Sequence, residues 1–340
     1  MTVSLPASFE SIAQRAVYGL RAALTPVGGT DVQRALHTKL EALLDALYAK
    51  PSLAGLPVAP DEAYDWYVCN NQRPELNKLY FDVYAKLNGF YRFLYAAAQA
   101  GEPDGGALRI PKTVLKDRKA AYKPAYAPAL AQAGIPVSVN RESVTLAFGT
   151  AEVAAAFREL GERSLFDFAR CSFDGVFSDL PPRIDAICGL DGLLPELDAR
   201  LRAEGCLVEL RACFSGTAIG YDIVYLTSGQ NTGFKITFNN RKKELWRFGL
   251  LSGVGEKAML EDFERLDPAL QALFLRICRP CSGCGGCTKG GKNARFTVTV
   301  QANGTSHALC PQFPQHEWQQ PDRALADTLC LYLRTQLRYI

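Results

Sequence analysis

The run RICRPCSGCGGCTKGGKNARF, Arg276 to Phe296, constrains this chain more than any other stretch. It sets Cys278, Cys281, Cys284 and Cys287 within ten residues and contains no acidic residue. Four exposed free thiols at that density would be an oxidation liability. A Cys-x-x-Cys segment folds into a tight turn that aims both sulfurs at one point, and Gly283, Gly285 and Gly286 relieve the steric cost of such turns. Cys310 lies further on, beyond a predicted hairpin whose turn is Asn303-Gly304. A hairpin folding back on itself sets residues near Arg295 beside Cys310, which brings that thiol to the cluster. Knuckle, hairpin and returning cysteine make a zinc-ribbon-like arrangement.

Five sulfurs are one more than a tetrahedral four-cysteine site needs. The expected ligands are Cys281, Cys284, Cys287 and Cys310, with Cys278 as the substitute. Structural zinc is the leading reading, because four thiolates close the site to water. An iron–sulfur cluster is the alternative: Cys-x2-Cys-x2-Cys with a remote Cys310-Pro311 echoes ferredoxin ligation. Against it, the local fourth cysteine follows after two residues where ferredoxins have three, and little apolar sequence flanks the run. Unligated thiols are the third reading. His307 and His316 are further candidate ligands, although a lone histidine on a hairpin or loop is usually just solvated.

The other cysteines bear on compartment. The chain has eleven, an odd count, with no secretory signal pattern in MTVSLPASFESIAQRAVYGLRAAL. That usage is not a disulfide framework, and the expected location is the cytoplasm. Cys69, Cys171, Cys188, Cys206, Cys213 and Cys330 stand singly and read as small buried hydrophobes. No apolar run is long enough to span a membrane.

The surrounding chain reads as α+β: a helical N-terminal region, an antiparallel sheet in the middle, and the cysteine module with a terminal helix. Apolar spacing near 3.6 predicts helices over Phe9–Leu24, from a Thr30 or Asp31 cap to Leu47, and over Pro74–Gln99 with its aromatic stripe. Gly89 interrupts that stripe and is expected to allow a kink or close packing. GEPDGG (Gly101 to Gly106) reads as a linker. Short helices are expected at Lys123–Ala133, Ala151–Leu160 and Leu193–Ala203, and strands at Val137–Val139 and Val144–Phe148. Strands at Leu207–Cys213, Tyr221–Thr227, Phe234–Asn239 and Glu244–Gly249, with short turns between, predict a meander. Asp267-Pro268 caps a helix leading into Cys278. A last helix is expected over Pro321–Leu337. These divisions set three regions: 1–105 helical, 106–266 α+β with the meander, and 267–340 the metal module with its terminal helix.

Function is less constrained. The net charge of +3 is too small to imply nucleic acid. Arg276, Arg279, Lys289, Lys292 and Arg295 form a basic patch, but zinc with four thiolates carries a formal −2 that they offset. A protein partner surface or a purely structural staple is preferred over nucleic acid. The run RIPKTVLKDRKAAYK reads as a solvated face, with an anion contact as the sharper alternative. FGLLSGVGEKAML lacks Walker spacing and reads as a turn. Cys69 in DWYVCNNQR has no histidine placed near it: the chain's three are His37, His307 and His316. The expectation is a binding or regulatory protein with a structural zinc module. An enzyme with a cleft between the helical region and the sheet, and an iron–sulfur redox protein, are the alternatives.

The run C-x2-C-x-G-C-x2-C-T-K-G-G-K-N, followed by L-C-P-Q-F-P, resembles a segment of uncharacterised Firmicutes cysteine-cluster proteins. The resemblance covers about the last third of the chain and implies no activity.

Overall fold

In the computed structural model the described residues are 9–26, 28–58, 74–214, 219–227, 233–239, 246–251, 256–280, 297–310, 317–318, 322–336 and 338–339. The fold is α+β. In chain order the helices are α1 (Ile12–Ala23), α2 (Asp31–Ala49), α3 (Pro74–Ala100), α4 (Lys112–Asp117), α5 (Ala127–Gln132), α6 (Ala151–Leu160), α7 (Leu165–Ala169), α8 (Leu180–Cys188), α9 (Leu193–Ala203), α10 (Glu256–Glu261), α11 (Pro268–Ile277) and α12 (Arg323–Gln336). The strands are β1 (Glu102–Asp104), β2 (Ala107–Pro111), β3 (Val137–Val139), β4 (Ser143–Ala147), β5 (Leu207–Phe214), β6 (Ile219–Leu226), β7 (Gly233–Asn239), β8 (Trp246–Leu251), β9 (Arg279–Pro280), β10 (Val298–Ala302), β11 (Thr305–Cys310) and β12 (Glu317–Trp318).

Contacts group the chain into two units. One comprises Met1–Arg183, Ala212–Tyr221 and Phe238–Leu245; the other comprises Ile184–Arg211, Asp222–Thr237 and Trp246–Ile340. The boundaries expected at 105 and 266 both fall inside a unit.

The first unit is a helical core with a small sheet. Thr30 caps α2: its hydroxyl accepts from the Gln33 amide, and the Gln33 side chain accepts from the Thr30 amide. Such a capping box is worth about 1 kcal/mol. Leu36, Leu40, Leu43, Leu44 and Leu47 of α2 then pack against Ile12, Ala16, Val17 and Leu20 of α1. The aromatic stripe of α3 is core packing, as its spacing implied: Phe90 and Phe93 lie 4.9 and 5.7 Å, centroid to centroid, from Tyr126. Gly89 is not required for close approach, since an added Cβ would meet Tyr126 Oη at 3.6 Å, an ordinary contact. Gly161 is more crowded than Gly89. A Cβ there would sit 2.7 Å from Ala98 Cβ, so α3 and the end of α6 touch through backbone.

GEPDGG is not a linker. Glu102–Asp104 and Ala107–Pro111 pair antiparallel around Gly105, which takes φ +57°. They form one side of a four-stranded sheet, β1-β2-β4-β3. The basic run continues from β2 into α4 and lies on the surface: Arg109 pairs with Glu102, Lys112 donates to Asn140 O, and Arg118 donates to Gln99 Oε1.

The five-stranded sheet has the order β12-β8-β7-β6-β5, so its four successive strands β5 to β8 are neighbours as a meander. Gly233 enters β7 at φ +153°, where any Cβ would collide with Tyr225 O at 1.8 Å. Within the second unit, ion pairs join α9 with its C-cap to α12: Glu196–Arg323, Arg200–Asp327 and Glu204–Arg334.

Candidate metal centre

Helix α11 delivers the chain to the cluster as expected. Asp267 caps it through the Ala269 amide, Pro268 fills the first turn, and Leu270, Leu273, Phe274 and Ile277 form its buried face. The C-cap is Cys278, whose amide donates to Phe274 O. Cys278 is only 4% exposed. Its thiol is pushed up to about 12, chiefly by burial and then by the charges of Glu256 and Cys310. Glu256 is itself buried and accepts a 2.6 Å bond from the Tyr332 hydroxyl.

Past Cys278 the chain forms β9, which pairs antiparallel with the end of β11. Leu309 faces Pro280, and Cys310 faces Arg279. Residue 310 therefore lies one register step from Cys278. The hairpin behind it is also as read. Val298 faces Leu309, Ala302 faces Thr305, and Asn303 and Gly304 take φ +51° and +72°, the left-handed pair of a type I′ turn. Val298, Val300 and Leu309 are buried, and β10 packs on α10. The sequence foresaw the return of Cys310 through the hairpin. The strand partner that sets Cys310 against the start of the cluster is β9, a two-residue strand with no periodicity to reveal it.

Side chains alternate faces along a strand. His307 is half-buried and shares a face with buried Leu309, whereas Cys310 points to the opposite face. His307 is thus separated from Cys310. Cys281, Cys284 and Cys287 lie outside the described residues, as do His316, Lys289, Lys292 and Arg295. Among the described residues, no group of three or more potential ligands is gathered for a metal.

Cys171 and Cys330 are buried, Cys188 and Cys206 half-buried, and Cys213 exposed. The expectation of uniform burial fails at Cys213 because it sits on β5, the last strand in its sheet order, where most residues face water. Cys69 and the DWYVCNNQR motif lie outside the described residues, as does Ser252–Gly255 of the glycine-rich turn. Sequence reasoning passed over His37 and the loop from Cys171 to Asp179, which line a cavity with Thr25. Only folding brings those stretches together, and no spacing rule links them.

No family model, curated protein or solved structure matches this chain. Among the described residues, no helix is long and apolar enough to cross a membrane.

Proposed function

We propose that the C-terminal segment holds one structural zinc ion through Cys281, Cys284, Cys287 and Cys310, and that this metal staples a surface for a protein partner in the cytoplasm. The observation that carries the reading is the β9–β11 register, which sets Cys310 against the first residues of the cluster. Cys278 fits better as a core residue at the end of α11, because it packs with that helix's buried face. Four thiolates leave no coordination position for water, so the metal's contribution is folding energy rather than Lewis-acid chemistry. Burial pushes the Cys171 and Cys188 thiols up to about 12, which suits packing rather than nucleophilic use.

Elemental analysis of freshly purified, chelator-free protein is expected to find about one zinc per chain. Cys284→Ser abolishes binding, whereas Cys278→Ser retains zinc at reduced stability. Loss of zinc from the Cys278 variant would replace one of the four proposed ligands. A metal-free preparation would sink the reading. A brown anaerobic preparation with broad visible absorption would replace zinc with an iron–sulfur cluster.

A further inference from the structure

A second site, independent of the metal, lies in the first unit. A cavity of about 320 Å³ opens between the α1–α2 connection, represented by Thr25, Pro26, Gly28 and Gly29, and the loop from Cys171 to Asp179. Its volume is at the small end of the range for ligand pockets, about 300–1,000 Å³. The loop is built rather than slack. Cys171 and Gly175 hold left-handed backbone at φ +56° and +70°. Asp174 Oδ1 accepts from the Val176 amide at 2.9 Å and from Ser172 Oγ at 3.1 Å. Behind it, fully buried Arg170 donates to Val176 O and Asp179 Oδ1, both at 2.7 Å.

The cavity concentrates unsatisfied polar atoms. Thr25 Oγ1, His37 Nδ1 and Asp179 Oδ2 are buried and have no hydrogen-bond partner among the described residues, and all three residues line this one space. An unpaired buried polar atom costs about 1–3 kcal/mol. His37 is the most telling, at 7% exposure. Its Nε2 lies 2.6 Å from Thr25 O. A carbonyl only accepts, so Nε2 carries the proton, and in the neutral ring Nδ1 presents a lone pair. Asp179 Oδ2 is likewise an acceptor. The charged residues lining the space are Asp174 and Asp179, with no lysine or arginine among the lining residues. Phe173, Val176 and Pro26 supply apolar surface.

We propose that this cavity binds a small organic cation bearing N–H donors, an amine or guanidinium compound, whose nitrogens donate to Asp179 Oδ2 and His37 Nδ1 while its carbon skeleton rests on Phe173 and Val176. Donors match the free acceptors, and positive charge matches the carboxylate of Asp174, since that of Asp179 is already paired with Arg170. The three atoms are shielded from bulk water, so binding turns the side chains that carry them toward the ligand. An aromatic face beside a cation adds a further favourable contact.

The test uses the full chain and agmatine, which carries both a guanidinium and an amine. Imidazole nitrogen resonances are followed by NMR, with the signals of His307 and His316 identified from His307→Asn and His316→Asn variants. The expected result is a saturable shift of the His37 Nδ1 signal with millimolar agmatine, together with a raised Tm. Asp174→Asn keeps the Oδ1 acceptor that holds the loop and removes one charge, so affinity should fall by about tenfold. An unmoved His37 signal at saturating agmatine would overturn the site. An equal response to uncharged xylitol, or undiminished agmatine binding by the Asp174 variant, would overturn the cationic ligand class.

Discussion

Arg170 shows how one residue organises its surroundings. It sits between Ala169 and Cys171, and its side chain is 0% exposed. The guanidinium binds Asp179, approaches Asp167 at 3.8 Å, and reaches Ala23 O at the end of α1. Arg183 completes the same task by donating to Ala22 O at 3.2 and 3.0 Å. The last carbonyls of a helix lack partners within it, and two arginines supply them here. Removing one member of a buried pair leaves its partner charge stranded, which costs about 3–5 kcal/mol. Arg170→Met is therefore expected to lower the unfolding free energy by about that amount, read by urea denaturation. A change below about 0.5 kcal/mol, typical of an exposed position, would contradict the role. Nothing in FDFARCSFDGVFSD announced this. The carboxylate that holds Arg170 lies nine residues on, and the carbonyl it meets lies on a different helix.

At the scale of elements, the readings that succeeded rest on local physics. Asp267 with Pro268 and Asn303 with Gly304 specify a terminus and a turn from adjacent side chains and appear where expected, and of the two caps expected for α2 the structure uses Thr30. GEPDGG failed because a composition of glycine, proline and acid describes a tight hairpin as well as a linker; the pairing of Pro103 with Leu108 decides between them. The proposed metal site rests on both kinds of observation. Spacing marked the cluster, while the approach of Cys310 depends on long-range pairing through β9. Hairpins of this length are marginal alone. If the four thiolates tie β11 to the cluster, removing zinc loosens β10 and β11 first. Amide exchange at Val300 and Leu309 should accelerate on chelation, with little change at Ile223 and Ile236 in the five-stranded sheet. Unchanged protection of the hairpin, alongside loss of a partner interaction, would make the metal functional rather than structural.

On the scale of the whole molecule, burial of ionisable groups sets the response to pH. Burial raises the Cys171 thiol from its ordinary 9.0 to about 12, the Cys188 thiol likewise, and the Tyr126 hydroxyl from 10.0 to about 12. Each group keeps its proton in the folded state after the unfolded chain has lost it. The stability they contribute is thus fully present below pH 9 and is lost as pH rises through about 12. For Cys171 the slope is about 1.4 kcal/mol per pH unit across that window. Urea unfolding at pH 8, 9 and 10 should show a falling free energy above 9, and Cys171→Ala should flatten the fall. A flat profile in the parent protein would contradict the burial of these groups.

The small C-terminal sheet has a consequence for synthesis. Its order is β10-β11-β9, so the last of its three strands to be made stands in the middle. Among the described residues, β9 and β10 do not pair with each other, and both pair with residues between Thr305 and Cys310. A nascent chain that has emerged only as far as Ala302 therefore carries two strands without a ladder. The order predicts that the sheet closes late, once β11 leaves the ribosome. Until then, Cys278, Cys281, Cys284 and Cys287 precede their distant fifth companion, so if the segment holds zinc as proposed, an ion arriving early would meet a different set of sulfurs from the one in the finished protein.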